Sequence, residues 1–110
     1  MRGIASLKAK LRNLIALATV DTGAGVVNGI IITNTTAAIC FVQVFDALLA
    51  SVTLGTTTPD LEFQVAIGAQ LIQVFPTGIN MDIGIVAAST TTEGGAAGSA
   101  AGVMVELLYN

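Results

Sequence analysis

The chain has 110 residues, of which 54% are hydrophobic and only 10% charged, with a net charge of -3, no histidine and one cysteine. This composition excludes a disordered chain, which needs low hydrophobicity and high charge. It also excludes a disulfide scaffold and any catalytic or metal site that depends on histidine. The length favours a single domain.

The charges are segregated along the chain. All four basic residues lie in the first twelve positions, and residues 13–110 contain seven acids and no base. A monomer of 11.1 kDa exposes roughly 5,700 Å², so this body carries about one charge per 800 Å², the area that one partner covers in a standard interface. We expect much of the surface to be covered by copies of the chain or by another protein. The alternative is that abundant threonine and asparagine keep the bare monomer soluble.

Residues 1–12 are interpreted as a basic N-terminal arm, and residues 13–110 as one β-sandwich domain. Ile4, Leu7 and Leu11 recur at helical spacing, so the arm is compatible with a short helix as well as with an extended segment. Leu14–Val20 is ambiguous, because alanine and leucine also favour helix.

The rest of the chain has the two-residue alternation of strands. In the last strand, for example, Val103, Val105, Leu107 and Tyr109 share one face. The other predicted strands, in chain order, are Val26–Thr33, Ile39–Phe45, Leu61–Ile67, Leu71–Phe75 and Asn80–Ala87.

Turn signals separate these runs. Gly68 is expected to join two strands of a hairpin, Pro76–Gly78 to end a strand, and Gly94–Gly102 to form a long mobile loop. No helical spacers of a βαβ fold are present. The predicted fold class is therefore all-β, an antiparallel β-sandwich resembling a jelly roll.

A membrane segment is not expected. The charge-free run Thr22–Phe45 is long enough to span a bilayer, but its glycines, asparagines and threonines suit two strands and a turn. The N-terminus resembles a signal peptide, yet its apolar core is short and no cleavage site follows it.

No catalytic, cofactor or metal site is predicted. Gly23–Gly29 loosely matches a dinucleotide loop, but β-branched residues follow it where a helix is required. Cys40 lies in the most apolar strand and is interpreted as a buried hydrophobe. The acids are scattered, although Asp60 and Glu62 would share a strand face if the strand began early, and a paired-carboxylate hydrolase is the enzymatic alternative. The full set is Asp21, Asp46, Asp60, Glu62, Asp82, Glu93 and Glu106.

The basic arm is a weak candidate for nucleic-acid binding. Its four cations neutralise at most four phosphates, and no aromatic residue lies among them to stack on bases. We do not expect a nucleic-acid partner. Docking on an acidic protein surface is the more economical use, and a solvated arm without a specific role is the alternative.

Several segments together carry a family resemblance. They are Gly29–Ala38, the aromatic strand ending at Phe45–Ala47, Leu54–Pro59, and Gly84–Thr92 with the Gly/Ala-rich loop and last strand that follow. From Val26 to Tyr109, the chain resembles small β-sandwich structural proteins of tailed bacteriophage virions, often capsid decoration (cement) proteins. The motifs are turns and strands, so the resemblance carries no active-site residues.

The resemblance implies a non-enzymatic protein on the virion capsid surface, made in the bacterial host cytoplasm. Its expected partners are the major capsid protein and copies of itself, in a trimer or another symmetric oligomer, with no cofactor and no small-molecule substrate. Arg2, Lys8, Lys10 and Arg12 are the predicted protein interface. The alternatives are a neck, tail or head-fibre component of the virion and, with fewer aromatic residues than it needs, a carbohydrate-binding module.

Overall fold

A computed structural model of the chain describes residues 8–14, 17–99 and 102–110. In this part of the chain, eight strands form two antiparallel four-stranded sheets that pack face to face. The all-β sandwich predicted from the sequence is confirmed. The strands are β1 (Lys8–Leu14), β2 (Ala18–Asp21), β3 (Gly25–Asn34), β4 (Cys40–Phe45), β5 (Leu61–Val65), β6 (Gln70–Met81), β7 (Ile85–Thr90) and β8 (Val103–Tyr109).

The strand order is that of a jelly roll. Sheet A has the order β1-β8-β3-β6, and sheet B has the order β2-β7-β4-β5. The first strand pairs with the last, the second with the seventh, the third with the sixth and the fourth with the fifth. This nested pairing, rolled into two sheets, is the arrangement that defines the fold.

The core lies between the two sheets and follows the alternation of the strands. On β8, Val103, Val105, Leu107 and Tyr109 are buried, whereas the residues between them are half-buried. The same two-residue period buries Ile30 and Ile32 on β3. Other buried residues of this core are Val20, Val27, Cys40, Val42, Val44, Val65, Met81, Ile85 and Ala87.

Strand β1 runs across the predicted boundary between the arm and the domain. The boundary after residue 12 falls inside this strand, whose residues Lys8–Leu14 pair with Tyr109–Val103 of β8. The ladder extends back to Lys8 because β8 would otherwise be the open edge of sheet A, and that pairing overrides the helical spacing of the sequence. The remaining part of the predicted arm, residues 1–7, lies outside the described residues.

Strand β6 is longer than predicted. Val27 lies opposite Ile79 and Gly29 lies opposite Val74, so β6 has a large bulge between these two pairs, with more residues than the facing part of β3. The bulge contains Pro76 and Gly78, and the ladder with β3 resumes after it. The predicted strand end at Pro76–Gly78 is therefore wrong, because β6 is an edge strand, where proline and a bulge are tolerated.

The predicted strand Asn80–Ala87 is two strand ends joined by a turn. β6 ends at Met81 and β7 begins at Ile85. The Asp46 carboxylate accepts hydrogen bonds from the backbone N–H groups of Asp82 at 3.0 Å and Ile83 at 2.8 Å. These bonds turn the chain, so Ile83 is 55% exposed instead of continuing the buried face of the strand.

The predicted hairpin at Gly68 is a crossing between sheets. β5 belongs to sheet B and β6 to sheet A, and the two strands do not pair. The buried Asn34 side chain holds this crossing in place, because its Nδ2 donates to the carbonyl groups of Val65 at 3.1 Å and Ala38 at 2.8 Å. The Gly68 turn is present, but it connects two layers.

Candidate interaction surface

The outer face of sheet B is covered by the chain itself. Phe45 points outward from β4, yet it is 1% exposed, because the β4–β5 connection folds over it. Val52 of that connection and Val86 of β7 complete this second buried cluster, with Leu17, Ala47 and Leu54 packed against it. The β4–β5 connection thus covers the part of this face around Phe45.

The β7–β8 loop covers a further part of the outer face of sheet B. Gln43 donates to Thr90 Oγ1 at 2.9 Å and to the Gly95 carbonyl at 3.2 Å, and Glu62 accepts from the Gly94 N–H at 2.7 Å. The Ser99 N–H donates to the Ser89 carbonyl at 3.0 Å. The predicted loop is therefore anchored to the sheet at its glycine-rich part and again at Ser99.

The outer face of sheet A has no such cover among the described residues. Ile72 and Val74 on β6 are each 62% exposed. Ile31 on β3 and Met104 and Leu108 on β8 are half-buried on the same face. Glu106 is the only charged side chain on this face in the described part of β3, β6 and β8. We call these five apolar residues the sheet A patch.

Among the described strands, only β3 pairs with β6, and the other edge of β6 borders this patch. The Asn34 N–H donates to the Ala69 carbonyl at 2.9 Å, directly before the opposed pair Thr33 and Gln70. Because hydrogen-bonded and non-bonded pairs alternate in an antiparallel ladder, the backbone N–H and C=O groups of Gln70, Ile72 and Val74 point away from β3. The strand has no charged residue over all 12 positions.

The predicted basic interface lies at the opposite margin. Lys8, Lys10 and Arg12 occupy alternate positions on β1, opposite Tyr109, Leu107 and Val105. The structure thus brings three of the four predicted residues onto one edge strand of sheet A. Arg2 lies outside the described residues.

Three carboxylates, those of Asp46, Asp60 and Glu62, accept hydrogen bonds from backbone N–H groups of turns and loops. The Asp46 carboxylate binds the N–H groups of the β6–β7 turn, and Asp60 Oδ2 accepts from the Asp46 N–H at 2.6 Å. These bonds to the turn lower the pKa of Asp46 below its ordinary value. Glu62, which shares a strand face with Asp60 in the prediction, instead binds the Gly94 N–H. Within the described residues, no three His, Cys, Asp or Glu side chains could hold a metal ion.

Cys40 and Tyr109 are both buried in the core. Cys40 is fully buried, and this burial raises the pKa of its thiol, so the structure agrees with its interpretation as a small hydrophobe. Tyr109 is 2% exposed and packs in the core, so the only tyrosine of the chain has no free ring face for a sugar. Among the described residues, no helix is long and apolar enough to cross a membrane.

The sequence alone does not predict the sheet A patch. It predicts Leu71–Phe75 as a strand, but both faces of this strand are apolar, so the alternation does not indicate which face is inward. The useful signal is the lack of charge in the segment Gln70–Met81. An edge strand normally carries a charge that discourages pairing with another chain.

Comparison with protein-family models, with curated proteins and with solved structures found no match to this chain.

Proposed function

We propose that this chain is a non-enzymatic virion structural protein of a tailed phage, present in many copies on the capsid. It would bind the major capsid protein and stabilise its lattice. The observation that carries the proposal is the contrast between the two sheets. Loops cover Phe45 and Gln43 on the outer face of sheet B, whereas the outer face of sheet A presents Ile72 and Val74 to solvent.

The scarcity of charge supports a role in assembly. The chain exposes 5722 Å², and a lone soluble domain normally covers such a surface with more charged residues. Contiguous exposed apolar surface on a folded protein marks an interaction site. The family resemblance of Val26–Tyr109 gives the partner, because cement proteins bind the capsid lattice.

The mechanism is mechanical. Each copy buries its apolar surface against neighbouring subunits, in contacts of about 800 Å² per partner. A single contact of this size need not be strong, because repeated contacts across a symmetric shell add avidity. No step of this mechanism requires a reacting group or a cofactor.

The copy number of the chain in purified particles tests the proposal. We expect a number comparable to that of the major capsid protein when both are quantified by mass spectrometry with labelled standard peptides. A handful of copies per particle would contradict decoration and favour a neck, tail or fibre position. Absence from particles would overturn the virion proposal altogether.

A further inference from the structure

We propose that the free edge of β6 is a self-association site, at which a second copy of this chain pairs antiparallel to the first around a two-fold axis beside Ile72. This inference concerns the isolated chain and does not depend on a virion location. The two β6 strands would join the sheets A of both copies into one sheet of eight strands.

The backbone of the edge is self-complementary. The N–H and C=O groups that point away from β3 belong to Gln70, Ile72 and Val74. When Ile72 lies opposite Ile72 of the second copy, Gln70 lies opposite Val74 of that copy. Three N–H groups from each copy then meet carbonyl groups of the other, which gives six hydrogen bonds with none left open along the segment.

One of these edge groups, the Val74 carbonyl, has a hydrogen-bond partner within the single chain. It accepts a hydrogen bond from the Gln73 side chain at 3.3 Å. This bond joins adjacent residues and is long for an N–H to O bond. A backbone N–H of the second copy would replace it with a regular ladder bond.

The charges favour pairing edge to edge over packing face to face. Face-to-face packing of two sheet A patches would bury Glu106 of both copies near the centre of the contact. Edge pairing leaves Glu106 on β8, two strands from the seam. The two carboxylates are then five strand spacings apart, about 24 Å, well beyond the screening length of about 8 Å in physiological salt.

Apolar side chains add contact area at the seam. Ile72 would face Ile72 of the copy across the axis, and Val74 would lie beside the copy's Gln70. Phe63 of β5 and Phe75 of β6 form a tilted aromatic pair with ring centroids 6.4 Å apart at the same margin of the sandwich. β6 also lacks a lysine or other charge to repel its copy.

The oligomeric state of the purified chain tests this pairing. Light scattering after size exclusion, from micromolar to millimolar concentration, should show a dimer. Ile72→Lys should weaken dimerisation at least tenfold, because two ammonium groups meet at the axis. Ile83→Lys is the matched control, since Ile83 is 55% exposed in the β6–β7 turn and the variant has the same net charge. It should dimerise like the parent chain.

A cross-linking pair tests the register. In a hydrogen-bonded pair the Cα atoms are about 5.5 Å apart, within the range that a disulfide bridges. Ile72→Cys should therefore form a disulfide-linked dimer on mild oxidation, whereas Gln70→Cys, which faces Val74 of the copy, should not. The native Cys40 is fully buried and does not compete.

Circular dichroism of each variant confirms that it is folded. A parent chain that stays monomeric or forms a trimer would overturn the pairing, since a two-fold contact cannot build a three-fold ring. Equal dimerisation of the two lysine variants would overturn it too, as would equal cross-linking of the two cysteine variants.

Discussion

Asn34 shows how a single buried amide can join three separate segments. Its Nδ2 donates to the carbonyl groups of Ala38 and Val65, and its Oδ1 accepts from the N–H of Thr36 at 2.9 Å. The side chain is fully buried at the end of β3. It therefore fixes both the β3–β4 turn and the crossing from sheet B to sheet A.

We expect Asn34→Ala to lower the free energy of unfolding by about 3 kcal/mol, because the buried carbonyl groups lose their donor. Urea denaturation of the purified variant measures this loss. Thr35→Ala is the control at the neighbouring position, since the Thr35 hydroxyl makes an exposed bond to the Gly102 carbonyl. Equal losses for the two variants would contradict the role given to Asn34.

Asp46 is the charged counterpart of Asn34 at the other end of the sandwich. Its carboxylate binds the N–H groups of Asp82 and Ile83, and these bonds lower its pKa from the ordinary value of 3.8. A lowered pKa in the folded state means that the carboxylate stabilises the fold above the unfolded-state value. The stabilisation disappears as the pH falls through the folded-state pKa.

Asp46→Asn should reduce the free energy of unfolding at pH 7 by about 1 to 2 kcal/mol. The difference between the parent and the variant should shrink as the pH falls below about 4. Denaturation series at several pH values measure both effects. Asp82→Asn removes the same charge from the same turn while keeping the backbone N–H that Asp46 binds, so a loss as large in that variant would refute the assignment.

At the scale of elements, β6 shows where local signals and the sheet disagree. Gly78 has a φ of 75°, and a Cβ at this position would overlap Cγ1 of Val26. Its lack of a side chain allows the bulge to sit against β3. Gly68, in the crossing between sheets, has a φ of 69° but open space around its Cα.

Gly68→Ala and Gly78→Ala therefore separate backbone strain from crowding. Gly68→Ala should cost about 1 kcal/mol, the strain of a left-handed alanine. Gly78→Ala should cost this strain and about 1 to 3 kcal/mol more, because Val26 must move. Midpoints of urea denaturation give both values, and similar values for the two variants would show that the bulge tolerates a side chain.

The strands differ in how well their own sequences predict them. The alternation of β8 gave its inward face directly, because every second residue is a large apolar one. The strand predicted at β6 is too short, because Pro76 and Gly78 are strong local turn signals. No local signal in the sequence indicates that the ladder with β3 resumes after them. The Asp46 bonds span 36 to 37 residues of chain, so no pattern within one segment could predict them.

At the scale of the whole molecule, sheet A has two unlike margins. β1 carries Lys8, Lys10 and Arg12, and β6 at the other edge carries no charge. The basic residues and the uncharged strand thus lie at opposite edges of the same sheet. This division was visible in the sequence as the clustering of basic residues, but only the strand order places the two segments at opposite edges.

The basic margin gives a prediction about capsid binding. Replacing Lys8, Lys10 and Arg12 together by glutamine should weaken binding to the capsid at least tenfold in about 0.15 M salt, because their attraction to an acidic surface is lost. Substitution is preferable to deletion of residues 1–12, which would remove most of β1 and expose β8. Cosedimentation with particles measures the binding.

Ile83→Gln, in the exposed β6–β7 turn outside the sheet A patch, provides a comparison that leaves the charge unchanged. It should not alter the salt dependence of capsid binding. If the triple variant binds as tightly as the parent chain and with the same salt dependence, the basic residues do not form the capsid contact.

The nested strand order also governs how the chain is made. β8 follows β1–β7 along the chain and lies between β1 and β3 in sheet A, so this sheet stays incomplete until β8 has been synthesised. Pairings between distant segments form slowly. Until β8 is available, the edge of β3 that pairs with β8 has no partner. Before the β6 edge exists as the margin of a finished sheet, every nascent chain therefore has a wider opening between β1 and β3, which β8 closes.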